Sequence, residues 1–206
     1  MNMSMNERLQ ELLDLAAARR TFVRGSMAIA GSLAATSAVG LGRAFAQDLT
    51  DVDILQFALT LEHLEARMYQ DMLATGILSG KEMSYLQSFG EHEAAHVDAL
   101  ANVLSQLGET PAQAQESYNF PPFDSREAIL GFAKVAEDVG VGAYQGAAAF
   151  IENKAYLAAA GSIVQVEARH AAIINLLSGL PPVPASTTPS LTIDEVNAKV
   201  GPILGQ

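Results

Sequence analysis

A pair of motifs occurs twice in this chain, and it limits the fold more than any other feature. Glu62 is followed seven residues later by Tyr69, and Glu93 three residues later by His96. Glu137 is then followed seven residues later by Tyr144, and Glu167 three later by His170. The two glutamates of the first copy stand 31 residues apart and those of the second 30, and the second copy trails the first by 74 or 75 residues. Internal periodicity of this kind marks a duplicated supersecondary unit. What is duplicated here includes carboxylates and imidazoles, the side chains that hold divalent metal ions when no thiolate is at hand.

The motifs sit on helical patterns. From Asp51 to about Ala74 the residues Ile54, Phe57, Leu61, Leu64, Met68 and Met72 recur at three- and four-residue steps, which predicts an amphipathic helix. Thr75-Gly76 through Ser79-Gly80 breaks it, and a second helix is predicted from about Lys81 to Leu107, closed by Gly108. Residues 108–123, with Pro111, Pro121 and Pro122, form a long connection without helical pattern. Asp124-Ser125-Arg126-Glu127 reads as a capping box opening a third helix. Its apolar pattern runs on to Leu177, too far for one ordinary helix, before Gly179 and Pro181-Pro182 stop it. A turn is therefore expected near Glu152-Asn153, although no Gly or Pro marks the place. Residues 181–206 form a Pro/Ser/Thr-rich tail with a short helix expected from Ile193 to Val200. Short loop, long loop, short loop describes an all-α antiparallel four-helix bundle over residues 47–180, with one long crossover between helices 2 and 3.

The spacing of the motifs fits that bundle. Two residues of an antiparallel hairpin lie at one level when the turn falls midway between them. The midpoint of Glu62 and Glu93 is 77.5, inside the Gly76–Gly80 break, and that of Glu137 and Glu167 is 152. At about 100° per residue, positions i and i+3 are about 60° apart, so both side chains of an ExxH step can reach one point. Four carboxylates and two imidazoles at one level of a core demand cations. Two divalent ions would neutralise the four charges, and oxygen and nitrogen donors suit iron or manganese.

This donor pattern resembles that of the ferritin-like di-iron carboxylate superfamily, built from one Glu on each of two helices and an ExxH step on each of the others. The stretches ILQFALTLEHLEARMY at 54–69, AEDVGVGAYQGAAAFI at 136–151 and VEARHAA at 166–172 are similar to the ferritin-like family that includes plant desiccation-related proteins. The resemblance spans about residues 50–180. It implies that Glu62 and Glu137 each serve one metal as terminal carboxylates, that Glu93 and Glu167 bridge, and that His96 and His170 each cap one metal. Two iron ions, or manganese, are the implied cofactor. The implied activity is oxidation of ferrous iron or consumption of dioxygen or peroxide. A non-enzymatic envelope protein of stress or desiccation, using the bundle structurally, is the alternative. Glu65, one turn from Glu62, is a candidate to support or replace a ligand. Tyr69 and Tyr144 could hydrogen-bond the ligands across the bundle or supply a redox-active phenol; packing with a satisfied hydroxyl is the plainer expectation.

His92-Glu93-Ala94-Ala95-His96 is also a literal HExxH, the helix of zinc proteases in which both histidines bind metal. The second copy has Val166 where the first has His92, and Ala99 and Asn102 occupy the glycine and third-histidine places of the extended metzincin pattern. A protease with a downstream Glu ligand stays as a remote alternative, and His92 is expected on the helix surface. Gly140 and Gly142 follow Glu137 and would weaken a helix by about 1 kcal/mol each. They foreshadow close helix approach, a π-bulge or a looser helix. Glu152 falls at the predicted turn and is a poor ligand candidate.

Ahead of the bundle, residues 1–46 read as an export signal. Arg19-Arg20-Thr21-Phe22-Val23-Arg24 resembles the twin-arginine motif, Gly25 to Gly42 is only weakly apolar, and Ala44-Phe45-Ala46 places a cut before Gln47. A membrane anchor or amphipathic helix is the alternative, and Met1, Met3 and Met5 are competing starts. The implied partner is the twin-arginine export machinery, which carries folded proteins with cofactor already inserted, and the implied destination is the periplasm. Beyond residue 46 the chain has 7 Lys and Arg against 20 Asp and Glu, a poor surface for nucleic acid or anionic membrane. It suits cations better, although a solvated acidic surface explains most of the charge. There is no cysteine, hence no disulfide. Oligomeric state is left open, a homo-oligomer included.

Overall fold

The computed structural model describes residues 49–205; the expected signal over residues 1–46 lies outside the described residues. Five helices follow one another: α1 Asp51–Ala74, α2 Gly80–Gln106, α3 Arg126–Ala148, α4 Lys154–Leu177 and α5 Ile193–Val200. No strand occurs among the described residues, and none of these helices is long and apolar enough to cross a membrane.

Local chemistry sets the helix ends. Thr50 and Asp53 form a reciprocal capping box at the start of α1. Ser125 caps α3 alone, its hydroxyl accepting from the Ala128 amide at 3.2 Å. The box expected with Glu127 does not close, because with Ser125 as cap the third helical residue is Ala128, which has no side chain to reach back. α2 ends in Gly108 at φ 81°, with Gly108 N–H donating to Ser105 O and Glu109 N–H to Leu104 O, both at 3.0 Å. Gly179 closes α4 in the same way. Both are left-handed caps that glycine adopts without strain. The turn near Glu152-Asn153 is made without Gly or Pro because two side chains organise it. Asn153 accepts from the Ala155 amide at 2.9 Å. The Asp51 carboxylate accepts from the amides of Glu152 at 2.8 Å and Asn153 at 2.9 Å.

α1–α2 and α3–α4 form two hairpins, with α1 also against α3 and α2 against α4. Residues 107–125 make the long crossover and run back along α1, where the Gln56 amide bonds Thr110 O and the Ala112 N–H, each at 2.8 Å. At the opposite end from Asp51, Arg126 ties three helices together: its guanidinium donates to Glu82 of α2 at 2.5 Å and to the Leu177 carbonyl of α4 at 2.7 Å. Met68, Met72, Leu86, Phe89 and Ile129 fill the core at the Arg126 end; burying such side chains contributes roughly 1.5–3 kcal/mol each.

The tail folds back onto the bundle. A capping box from Thr192 and Glu195 starts α5, and Val196, Val200 and Leu204 pack on Leu61, Leu64, Val139 and Ala143. The glycines of α3 make room for it, and the helix stays α throughout. A Cβ on Gly142 would stand 2.6 Å from Leu191 Cγ, and one on Gly146 only 1.9 Å from the Leu191 carbonyl oxygen. Gly146→Ala is therefore expected to displace the tail and destabilise the protein by about 1–3 kcal/mol. Gly131→Ala, where a Cβ meets nothing within 4 Å, should be neutral or stabilise by up to about 1 kcal/mol. Urea denaturation of the two variants, with limited proteolysis of residues 181–206, measures the contrast.

Candidate metal centre

The doubled motif converges at mid-height of the bundle. α1 contributes Glu62, α2 Glu93 and His96, α3 Glu137, and α4 Glu167 and His170. Two groups can be drawn in which each residue offers one donor atom, all within 4.8 Å of one another: Glu62, Glu93, His96 and Glu167, and Glu93, Glu137, Glu167 and His170. Glu93 and Glu167 belong to both. His96 Nδ1 lies 3.1 Å from Glu62 Oε2, 3.0 Å from Glu93 Oε2 and 3.1 Å from Glu167 Oε1. His170 Nδ1 lies 2.9 Å from Glu93 Oε1, 3.4 Å from Glu137 Oε1 and 3.9 Å from Glu167 Oε2. The four glutamates and His170 are buried, and His96 keeps 12 % of its side chain exposed.

The two tyrosines both satisfy their hydroxyls and hold the cluster. Tyr69 of α1 donates to Glu137 of α3, and Tyr144 of α3 donates to Glu62 of α1. Antiparallel helices with the same E-x6-Y step produce this reciprocity, since seven residues are close to two turns and return to nearly the same face. Burial, then the neighbouring carboxylate, pushes both phenols well above their ordinary range, so they stay neutral donors.

Glu65 is a fifth buried carboxylate. A Cβ on Gly140 would stand 3.1 Å from Glu65 Oε1 and 3.6 Å from Glu167 Oε2, so this glycine makes room for carboxylates rather than loosening α3. Asp138, beside Glu137, instead pairs with Lys134 at 2.6 Å. Glu152 is exposed in the turn.

HEAAH does not gather its two histidines on one point. His96 faces the carboxylates, whereas His92, though exposed as expected, turns its Nδ1 to the far nitrogen of His170, at 2.9 Å. The two rings are nearly parallel, with centroids 5.2 Å apart, and Phe89 stacks on His170 at 4.2 Å. Sequence reasoning assigned His92 no partner. Its only signal was position, four residues before His96 and so on the same flank of α2.

Charge is the problem that this arrangement poses. Burial, followed by the charges of Glu167 and Glu93, pushes Glu62 up to about 8. Burial and the surrounding carboxylates push Glu65 well up. Burial also pushes up Glu137 and Glu167, against the pull of His170 and His96. Glu93 alone among the cluster's carboxyls is lowered, to about 2: burial opposes its ionisation, but the close His170 and His96 imidazoles outweigh it. Burial likewise opposes protonation of the imidazoles, yet their carboxylate partners raise His96 to about 12 and His170 to about 10. Protons thus occupy the place of cations. Even so, Glu93 Oε1, Glu137 Oε2, both oxygens of Glu167 and His170 Nδ1 lack an aligned hydrogen-bond partner. Buried donors and acceptors are rarely left so, and this oxygen and nitrogen set fits two divalent cations.

The sequence over residues 50–180 matches the ferritin-like domain family. The chain belongs to that family. Its fold is shared with a conserved hypothetical protein, rv2844, from Mycobacterium tuberculosis, at a TM-score of 0.57 and 20 % sequence identity, covering 65 % of this chain and 94 % of that one. No curated protein matches the chain in sequence. The ferritin-like bundle and a carboxylate–histidine cluster able to hold metal therefore stand together.

The protonation pattern of the metal-free ferritin-like domain has a measurable consequence. A carboxyl raised from 4.5 to about 8, as at Glu62, and imidazoles raised from 6.5 to about 12 and about 10 bind more protons folded than unfolded. Their stabilisation is complete below the unfolded values and is lost as pH rises toward the folded ones. Only Glu93 works in the opposite sense, and only between about 2 and 4.5. The melting temperature of the metal-free protein should fall from pH 5 to pH 8. Added divalent metal should raise it most at pH 8, where fewer protons compete.

Proposed function

We propose that this chain is an exported ferritin-like protein whose cluster holds two iron or manganese ions and that it oxidises ferrous iron with dioxygen or peroxide. The observation that supports this best is the sharing of Glu93 and Glu167 between two donor groups whose buried atoms lack hydrogen-bond partners. Glu62 and His96 would hold one ion, Glu137 and His170 the other, with Glu93 and Glu167 serving both. Two ferrous ions, as substrate, each give one electron to dioxygen, which takes up two protons to form hydrogen peroxide; with peroxide as oxidant, the same two electrons and two protons give two waters.

The residues of the chain set the conditions for that exchange. Tyr69 and Tyr144 fix Glu137 and Glu62 with neutral hydroxyls. His92 holds the far nitrogen of His170, so His170 presents Nδ1 inward, as ligating histidines oriented by an outer partner do. The partial exposure of His96 leaves that side of the cluster the more accessible to an incoming cation. Protons released by Glu62, Glu137, Glu167, His96 and His170 on cation entry, with Glu65 keeping its own, hold the buried site close to neutral. The export signal read over residues 1–46 favours service outside the cytoplasm.

The protein purified after native export should carry about two iron or manganese ions per chain, and Glu93→Ala/Glu167→Ala none. Elemental analysis decides this, and oxygen and peroxide electrodes with added ferrous ion then separate an oxidase from a structural metal protein. A native protein that is metal-free and cannot be loaded anaerobically would sink the proposal. Arg19→Lys/Arg20→Lys should leave the precursor in the cytoplasm, as read by fractionation; normal export of that variant would refute the twin-arginine route.

A further inference from the structure

The two ends of this duplicated bundle are packed differently. Around Tyr69 the core is solid, filled by Met68, Met72, Leu86 and Phe89. The positions 75 residues on from Met68 and Met72 are Ala143 and Ala147, and those 74 on from Tyr85 and Leu86 are Ala159 and Ala160. All four alanines line a cavity of about 80 Å³ that also reaches Tyr144, the counterpart of Tyr69. Where one repeat buries Met68, Met72 and Leu86, the other thus has an apolar hollow between the four helices, with the exposed Ala99 and Ala159 at its edge. An unfilled apolar cavity destabilises a fold in proportion to its size.

The placement of the hollow ties it to the cluster. Tyr144 in its wall donates to Glu62. Leu61, beside Glu62, also lines it, as do Leu100 and Ile163, each about one helical turn from His96 and Glu167 respectively. Its lining offers a guest almost nothing polar. Asp51 is its one charged residue, and both carboxylate oxygens already accept backbone amides. The Tyr144 hydroxyl is committed to Glu62. An anionic chain would meet Asp51 without any cation, and peroxide would give up its hydrogen bonds to water with only the Tyr156 hydroxyl in the wall to replace them. Apolar cavities stay dry and admit small neutral guests such as xenon; a benzene-sized guest needs roughly 150 Å³.

We propose that this hollow binds dioxygen and holds it beside Tyr144 and Glu62 for reaction at the carboxylate cluster. The inference rests on the metal reading above and narrows the oxidant from dioxygen or peroxide to dioxygen. Crystals of the full chain pressurised with xenon test the hollow itself, with Ala147→Met and Ala160→Leu as variants carrying the residues of the packed end. Xenon should be ordered against Tyr144 in the native protein and lost from both variants, which should melt at or above the native temperature. In iron-loaded protein the variants should raise severalfold the dioxygen concentration giving half-maximal ferrous oxidation. Absence of xenon from the native protein would overturn the proposal. So would unchanged oxygen dependence in filled variants, since the hollow would then be a packing defect. A chain that binds xenon but no metal would sink the dioxygen assignment through the metal reading, an outcome distinguishable because xenon needs no metal.

Discussion

Glu62, Glu65, Glu93, Glu137 and Glu167 are all taken out of water at mid-height of one small bundle, and the rest of the domain is arranged around what that burial demands. An unpaired buried charge costs several kcal/mol even after relaxation, and among the described residues His96 and His170 stand with the carboxylates to offset it. The fold meets part of the demand with two reciprocal phenol hydrogen bonds and part with protons retained on the glutamates themselves. The remainder persists as oxygen and nitrogen atoms in ion-pair range but without aligned partners. A core built for stability alone would replace this layer with leucines. Here protons or cations must supply the balancing positive charge, and the tyrosines and Gly140 are placed to accommodate the carboxylates that carry it.

The duplication gives the cluster its two-sided form, but the copies differ where function would need them to. His170 is buried under Phe89 and fixed from outside by His92, whereas His96 is partly exposed and the residue matching His92 is Val166. The tyrosine on one side is locked among methionines, leucine and phenylalanine, while that on the other borders a cavity lined by alanines. The two halves of the site thus share donors and differ in surroundings, one packed by aromatic stacking and the other bordered by an alanine-lined cavity.

Much of this was legible in the sequence because helical periodicity and hairpin geometry are local rules. Apolar spacing gave α1 and α2 almost to the residue, Gly108 and Gly179 marked the stops of α2 and α4, and the midpoints at 77.5 and 152 put the four glutamates on one level before any packing was known. The turn at Glu152-Asn153 was expected from the excess length of the apolar pattern and agreed with that register, but what holds it was hidden, since its stabilising group, Asp51, lies about a hundred residues upstream. What escaped depends on which surfaces meet. Gly142 suggested close approach, but not that the partner would be Leu191 of the tail, and Gly146, against the Leu191 backbone, gave no sequence signal. His92 looked idle because its partner, His170, sits on another hairpin. The expected box at Ser125 failed for a local reason, the helix starting one residue later than a cap at Asp124 would set.

The ends of the bundle are fixed by interactions that do not involve the cluster. Asp51 ties the start of α1 to the α3–α4 turn, Arg126 joins α2, α3 and the end of α4, and α5 closes over α1 and α3. These contacts, with the apolar layers above and below the carboxylates, set the spacing between helices independently of whatever occupies the middle. The cluster therefore cannot relieve its repulsion by letting the helices part, and the carboxylates must meet it in place through protons or cations. The carboxylate layer is sandwiched between two apolar layers tied at both ends of the bundle, so a change in its charge is met by protons or cations within the layer.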